Sequence, residues 1–278
     1  MAGQDDASRL AHLAEDHWID YPRARAILEE LERLVRSPQR THMPGLLIHG
    51  DSNICKSMII QKFLRAHPAR EFNAETGFLQ VDVLAVEMPS APQERRLYGQ
   101  LSMALNAPYR PGDRLAAVEF TALTLLRKVA PRMIVVGEVH NLLAGSAHEQ
   151  RSSLNLLKFL SMQIKCALVV LGTRDALAAM QTDTRIASRF PGVGIPRWLE
   201  NEDFRGFLAD LERQLPLRHP SRIATNRAMV SVITNATGGI AGQVSELLSR
   251  AAEGAIRSKR ECITLELLRD TAERRLAA

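Results

Sequence analysis

Gly45-Leu46-Leu47-Ile48-His49-Gly50-Asp51-Ser52-Asn53-Ile54-Cys55-Lys56-Ser57 is the stretch whose reading decides the fold. An apolar run of strand type comes first, a polar turn follows, and Ser57–Leu64 continues with helical periodicity, which is the opening of a βαβ unit. In that context Gly50–Ser57 matches the phosphate-loop pattern G-x-x-x-x-G-K-[ST] except at one position, where Cys55 stands for the second glycine. The pattern suits ATP because backbone N–H groups and a helix N-terminus surround the phosphates. Lys56 adds a point charge at the β/γ oxygens, and the Ser57 hydroxyl can ligate Mg²⁺. Gly50, Asp51, Ser52, Asn53, Ile54, Cys55, Lys56 and Ser57 are therefore the candidate nucleotide-binding residues, with Ser57 the candidate metal ligand. A Cβ at Cys55 is expected to crowd the phosphates or to oppose a backbone conformation that glycine permits. The plainer alternative is an ordinary turn ahead of a helix started by Ser or Asn.

A second strand end carries the other half of such a site. Met133-Ile134-Val135-Val136 leads into Gly137-Glu138, where a Walker B strand ends in Asp-Glu. The aspartate of that pair holds the water shell of the metal and the glutamate polarises the attacking water. Glu138 is the candidate general base, and Gly137 replaces the aspartate, so hydrolysis should suffer more than nucleotide binding. His140 and His49 have no partner at ligand spacing and read as structural histidines.

Working outward, apolar runs at Phe78–Val86, Met133–Val136 and Ala167–Leu171 alternate with amphipathic stretches near 93–105, 114–130 and 151–164. That alternation predicts an α/β fold with a mainly parallel sheet and helices on both faces. After Pro196 the apolar runs cease, and 201–214, 222–236, 241–257 and 264–276 read as helices of a small C-terminal lid. The expected organisation is a polar extension over 1–20, a nucleotide-binding domain over 21–198 and a helical lid over 199–278.

Bulk properties set outer limits. The 278 residues, 46% hydrophobic, can bury one core and a small second unit. No apolar run reaches the roughly 18 residues of a membrane span and no leader-like segment opens the chain, so the expected location is the cytoplasm, away from membranes. Three scattered cysteines suggest neither a disulfide framework nor a zinc site. A net charge of +5 permits nucleic-acid binding without implying it.

The segments GDSNICKSMIIQKF, VVGEVHNLLAGS with QRSSLNLLKFL, VVLGTRDALAAM and RIASRFPGVGIPRW, in this order, resemble the TniB family, relatives of the transposon protein TnsC. The resemblance implies a P-loop NTPase of the AAA+ type that forms homo-oligomers on duplex DNA. Its implied partners are a DDE transposase, TniA-like, and a TniQ-like target-selection protein. It also places Thr173 at the sensor 1 position and likens Arg189 to the finger inserted into a neighbouring subunit's site, with Arg185 and Arg174 as runners-up. A guanidinium suits that role because its charge does not titrate. In the lid, Thr237-Gly238-Gly239-Ile240-Ala241-Gly242 resembles the turn before a sensor 2 helix, but no arginine follows the glycines.

AAA+ rings grip duplex phosphates with loops, so Arg95 and Arg96, with Gln93, and Arg110 are the candidate DNA-binding residues. A solvated helix face accounts for Arg95 and Arg96 as well. Three functions compete: an ATP-dependent DNA-bound regulator that recruits transposase, a nucleotide-binding scaffold that does not hydrolyse, and a nucleotide-free DNA-binding remnant of a transposon.

Overall fold

The computed structural model describes residues 1–68, 72–74, 77–91, 93–110, 112–181 and 184–276, and of residues 73, 78, 79, 185 and 276 the backbone alone. The chain divides into two units, the larger formed by 26–52 and 56–195, the smaller by 1–25, 53–55 and 196–278.

Helix α1 (Asp6–Leu13) opens the chain and α2 (Pro22–Val35) follows. Strand β1 (Gly45–His49) leads into α3 (Lys56–Ala66). A short antiparallel hairpin, β2 (Phe72–Asn73) with β3 (Phe78–Leu79), precedes β4 (Val83–Glu87). Next come α4 (Glu94–Ala104), α5 (Leu115–Val129), β5 (Met133–Gly137), a 3₁₀ turn over Val139–Ala144, α6 (Ala147–Ile164) and β6 (Ala167–Gly172). The larger unit closes with α7 (Arg174–Gln181), α8 (Thr184–Ala187) and β7 (Gly192–Gly194).

The main sheet has the order β4-β5-β6-β1-β7, every pair parallel. Its strands read as continuous apolar runs because both faces are covered. On one face Leu47, Leu84, Ile134, Val136, Leu168 and Val170 pack with residues of α4, α5 and α6. On the other, Leu46, Ile48, Met133, Val135 and Val169 are equally buried. Cys166 sits at the start of β6 with no exposed surface, and burial pushes its thiol up to about 12, which leaves it unreactive.

Two expectations change here. The run Phe78–Val86 is not one strand: β3 ends at Leu79, and β4 starts at Val83 after Asp82, whose carbonyl accepts the N–H groups of Arg132 and Met133. The fifth strand, β7, has no apolar run to announce it. Its glycines accept the His49 ring, since a Cβ at Gly194 would lie 2.9 Å from that ring.

In the smaller unit, α9 (Glu202–Gln214), α10 (Arg227–Thr237), α11 (Ala241–Arg257) and α12 (Leu265–Leu276) bury Phe204, Leu208, Ile233, Leu247, Leu248 and Leu268. Helix α1 belongs to this unit through Arg9, a charged residue with no exposed surface. Its Nε donates to the Pro216 carbonyl at 2.8 Å and its Nη1 and Nη2 hold both oxygens of Glu261. Among the described residues no helix is long and apolar enough to cross a membrane.

Candidate nucleotide-binding site

Parallel strands bring all their carboxyl ends to one edge of the sheet, where ligands of open α/β folds bind. At that edge β1 delivers Gly50, β6 delivers Thr173 and β5 delivers Glu138. The Gly50 N–H donates to the Gly172 carbonyl at 3.3 Å, which fixes the start of the loop beside Thr173. A Cβ at Gly172 would lie 2.8 Å from Val139, so glycine is needed for the close approach of the β5 and β6 ends.

The loop itself has an uncommon backbone. Asn53 and Cys55 have φ of +59° and +69°, while Ser52 and Ile54 are not among the positive-φ residues. Alternating signs turn successive N–H groups toward one side and make an anion-binding concavity, a nest. Cys55 thus adopts the left-handed conformation that glycine would take there, at a cost of about 1–2 kcal/mol. Lys56 folds back over the loop and donates to the carbonyls of Gly50 (2.9 Å) and Asp51 (2.7 Å). Ser57 is exposed in the first turn of α3. In the smaller unit the Asn53 carbonyl accepts the N–H of Gly242 at the start of α11, and a Cβ on Gly242 would meet Asn53 at 2.1 Å.

These residues fit a nucleotide with its Mg²⁺ in part. The nest and Lys56 suit phosphates, and Ser57 could hold the ion. The second carboxylate is missing, though space for it exists: a Cβ on Gly137 would meet Glu87 Cγ at 3.5 Å, an ordinary contact. Glu87 is the residue paired with Gly137 across β4 and β5. Glu138 follows in the left-handed region, φ +52°, and its Oε2 lies 3.3 Å from His140 Nε2. Asp51 pairs with Arg174 at 3.5 Å.

Arg189 is not brought to this edge. A Cβ on Gly45, the first residue of β1, would lie 2.6 Å from the Arg189 carbonyl. Arg189 is therefore at the amino end of β1, about four strand residues or roughly 13 Å from the loop. Its Nη2 lies 3.2 Å from His42 Nδ1, and its Nη1 is buried with no hydrogen-bond partner among the described residues. The side chain of Arg185 lies outside the described residues.

Of the proposed DNA contacts, Gln93 is the N-cap of α4, with Arg95 and Arg96 in its first turn. Arg95 lines an open cleft of about 330 Å³ with Gln93, Glu94, Leu115, His148, Glu149 and Ser152. Arg110 is exposed on the loop before α5, whose Tyr109 ring covers Gly99. Sequence reading did not single out His148 or the α6 N-terminus as neighbours of Arg95, because 53 residues separate them.

The fold and this loop define a P-loop NTPase of the AAA+ type. The chain belongs to the TniB family: the family described as "Bacterial TniB protein" matches residues 9–200. The fold is similar to that of Cdc6p from Pyrobaculum aerophilum, with a TM-score of 0.70 at 15% identity over 95% of this chain and 70% of that one. It is also similar to the Aeropyrum pernix ORC1 protein in complex with DNA, with a TM-score of 0.65 at 16% identity over 95% and 69% of the two chains. Drosophila ORC bound to DNA gives 0.61 at 14% identity over 100% and 67%. Comparison with curated proteins finds no match.

Proposed function

We propose that this protein is an ATP-binding regulator of DNA transposition that assembles as a homo-oligomer on duplex DNA and recruits a DDE transposase together with a TniQ-like partner, with hydrolysis weakened by Cys55 and Gly137. The observation that carries the reading is the nest at 52–55 with Lys56 folded onto the Gly50 and Asp51 carbonyls beside it, a phosphate-shaped loop in a chain of the TniB family. Arg189 supports assembly, since a guanidinium at the far end of β1 reaches a nucleotide only in another copy's site. The similar ORC chains are described in complex with DNA, which favours a DNA-bound role.

Bound Mg²⁺ would supply charge neutralisation at the phosphates. The chain's own residues would do the rest: the 52–55 backbone and Lys56 would bind the phosphates, Ser57 would hold the ion, Glu138 would accept a proton at its carboxylate, and Thr173 would take the sensor role that the family resemblance implies. A second reading, a scaffold that binds nucleotide without turnover, is favoured by the absence of a carboxylate at 137.

Titration with ATP and with a slowly hydrolysed analogue, with and without duplex DNA and followed by a turnover assay, tests the proposal. Lys56→Ala is expected to weaken binding by about 10–100-fold, the loss of a charge-assisted contact of roughly 1.5–3 kcal/mol. No saturable ATP binding by the parent at millimolar concentration with Mg²⁺ would leave the loop as fold alone.

For DNA, the Arg95→Ala, Arg96→Ala, Arg110→Ala triple variant should lower affinity about equally across sequences and flatten the salt dependence, because phosphate contacts release counterions. Nucleotide binding should be spared. Electrophoretic shifts at several salt concentrations decide it, and undiminished affinity would move DNA contact away from this segment.

A further inference from the structure

We propose that the N-terminal segment of the smaller unit carries a divalent transition-metal site built from His12, Glu15 and His17. One ligand atom from each of the three side chains lies within 4.8 Å of the others. The convergence comes from how α1 ends. After Leu13 the chain turns back on itself, and the His12 carbonyl accepts both the Glu15 N–H at 3.1 Å and His17 Nε2 at 2.7 Å. Positions 12, 15 and 17, which neither a helix nor a strand would place together, thus share one side of the turn.

The hydrogen bonds also decide which nitrogen of each ring keeps a lone pair for ligation. A carbonyl oxygen only accepts, so His17 Nε2, bonded to the His12 carbonyl, carries its proton. His12 Nε2 likewise faces the Gln214 carbonyl at 3.2 Å, on the last residue of α9. In each neutral ring the lone pair is then on Nδ1, and His12 Nδ1 lies 3.8 Å from Glu15 Oε2. An imidazole whose outer N–H is tied to a backbone carbonyl, leaving the other nitrogen to ligate, is the arrangement that orients metal-binding histidines.

Two imidazoles and a carboxylate suit Zn²⁺ and its neighbours rather than Mg²⁺ or Ca²⁺. Tetrahedral ligation at about 2.0–2.1 Å places ligand atoms roughly 3.3 Å apart, so each side chain must close in by about 1 Å. Glu15, 69% exposed, can swing freely, and the ring centroids are already 4.1 Å apart. A water would complete the shell. Because His12 is tied to Gln214, an ion here would clip α1 onto α9.

Zn²⁺ titration of the full chain by calorimetry, with Co²⁺ as the spectroscopic probe, tests the site. One ion per chain with micromolar or tighter affinity is expected. The Co²⁺ bands should be those of nitrogen and oxygen ligation, without the thiolate charge-transfer absorption that Cys55 or Cys262 would give. Glu15→Gln, at an exposed position that folding does not need, should weaken binding at least about tenfold, and His17→Ala at least as much. Thermal unfolding should shift upward with Zn²⁺ in the parent and not in His17→Ala. No saturable binding near one equivalent, affinity unchanged from the parent in both variants, or a thiolate spectrum would overturn the proposal.

Discussion

The Cys55→Gly, Gly137→Asp double variant is expected to hydrolyse ATP on the order of a hundredfold faster than the parent, since a metal-linked carboxylate contributes several kcal/mol of transition-state stabilisation. The two changes act on different faults. Glycine at 55 removes about 1–2 kcal/mol of left-handed strain at φ +69° and takes a Cβ away from the phosphates. Aspartate at 137 has room for its Cβ and restores the carboxylate before Glu138. Neither change should suffice alone, because the loop must seat the nucleotide before the carboxylate can matter. A second readout separates this from a folding effect. The new carboxylate stands beside Glu87, so Gly137→Asp should lower thermal stability without Mg²⁺ and recover it with Mg²⁺ and nucleotide. Phosphate release measured in the presence of duplex DNA gives the turnover, and equal rates in parent and double variant would show that neither residue limits hydrolysis.

Arg9→Ala should destabilise the smaller unit by about 3–5 kcal/mol, the usual result of stranding one half of a buried ion pair. Glu261, 6% exposed and itself at φ +60°, would keep Arg218 as its cation among the described residues, with Nη1 3.6 Å away. Arg9 also satisfies the Pro216 carbonyl, so more than one partner is lost. Replacing both Arg9 and Glu261 by Met should cost much less, because no charge is left buried. Both tryptophans, Trp18 and Trp198, belong to the smaller unit, so urea unfolding followed by their fluorescence reports on it directly. The pH dependence follows from the same pair. The hydrogen bond from Arg9, opposed by burial, holds the Glu261 carboxyl below its ordinary 4.5. A lowered pKa in the folded state contributes stability that is complete above the unfolded value and is lost as pH falls through the folded one. The parent should therefore lose stability below about pH 4.5 by more than Arg9→Ala does.

Much of the larger unit was legible because its signals are local. The runs Met133–Val136 and Ala167–Leu171 are strands within a residue of where the sequence places them, since a strand covered on both faces must be apolar throughout. The loop Gly50–Cys55 lies between β1 and α3, with Lys56 and Ser57 opening the helix as the pattern required, and of the two effects expected of Cys55 the backbone one is visible, at φ +69°. The helices of the smaller unit after Pro196 were likewise readable from their periodicity, although α10 begins at Arg227 rather than near 222.

What the sequence by itself determined is the set of elements with their own periodicity and the place of the phosphate-loop pattern between strand and helix, because those depend on neighbours a few residues apart. What only the tertiary structure decided depends on partners far away in the chain. Strand β7 is set by its pairing with β1 and needs its glycines because the His49 ring lies against them, α1 is held by a buried guanidinium whose carboxylate is 252 residues distant, and Arg189 lies at the end of β1 remote from the loop. Polar α1 gave no sign of burial, since a charged side chain reads as solvated until a partner and a carbonyl are seen to replace its water.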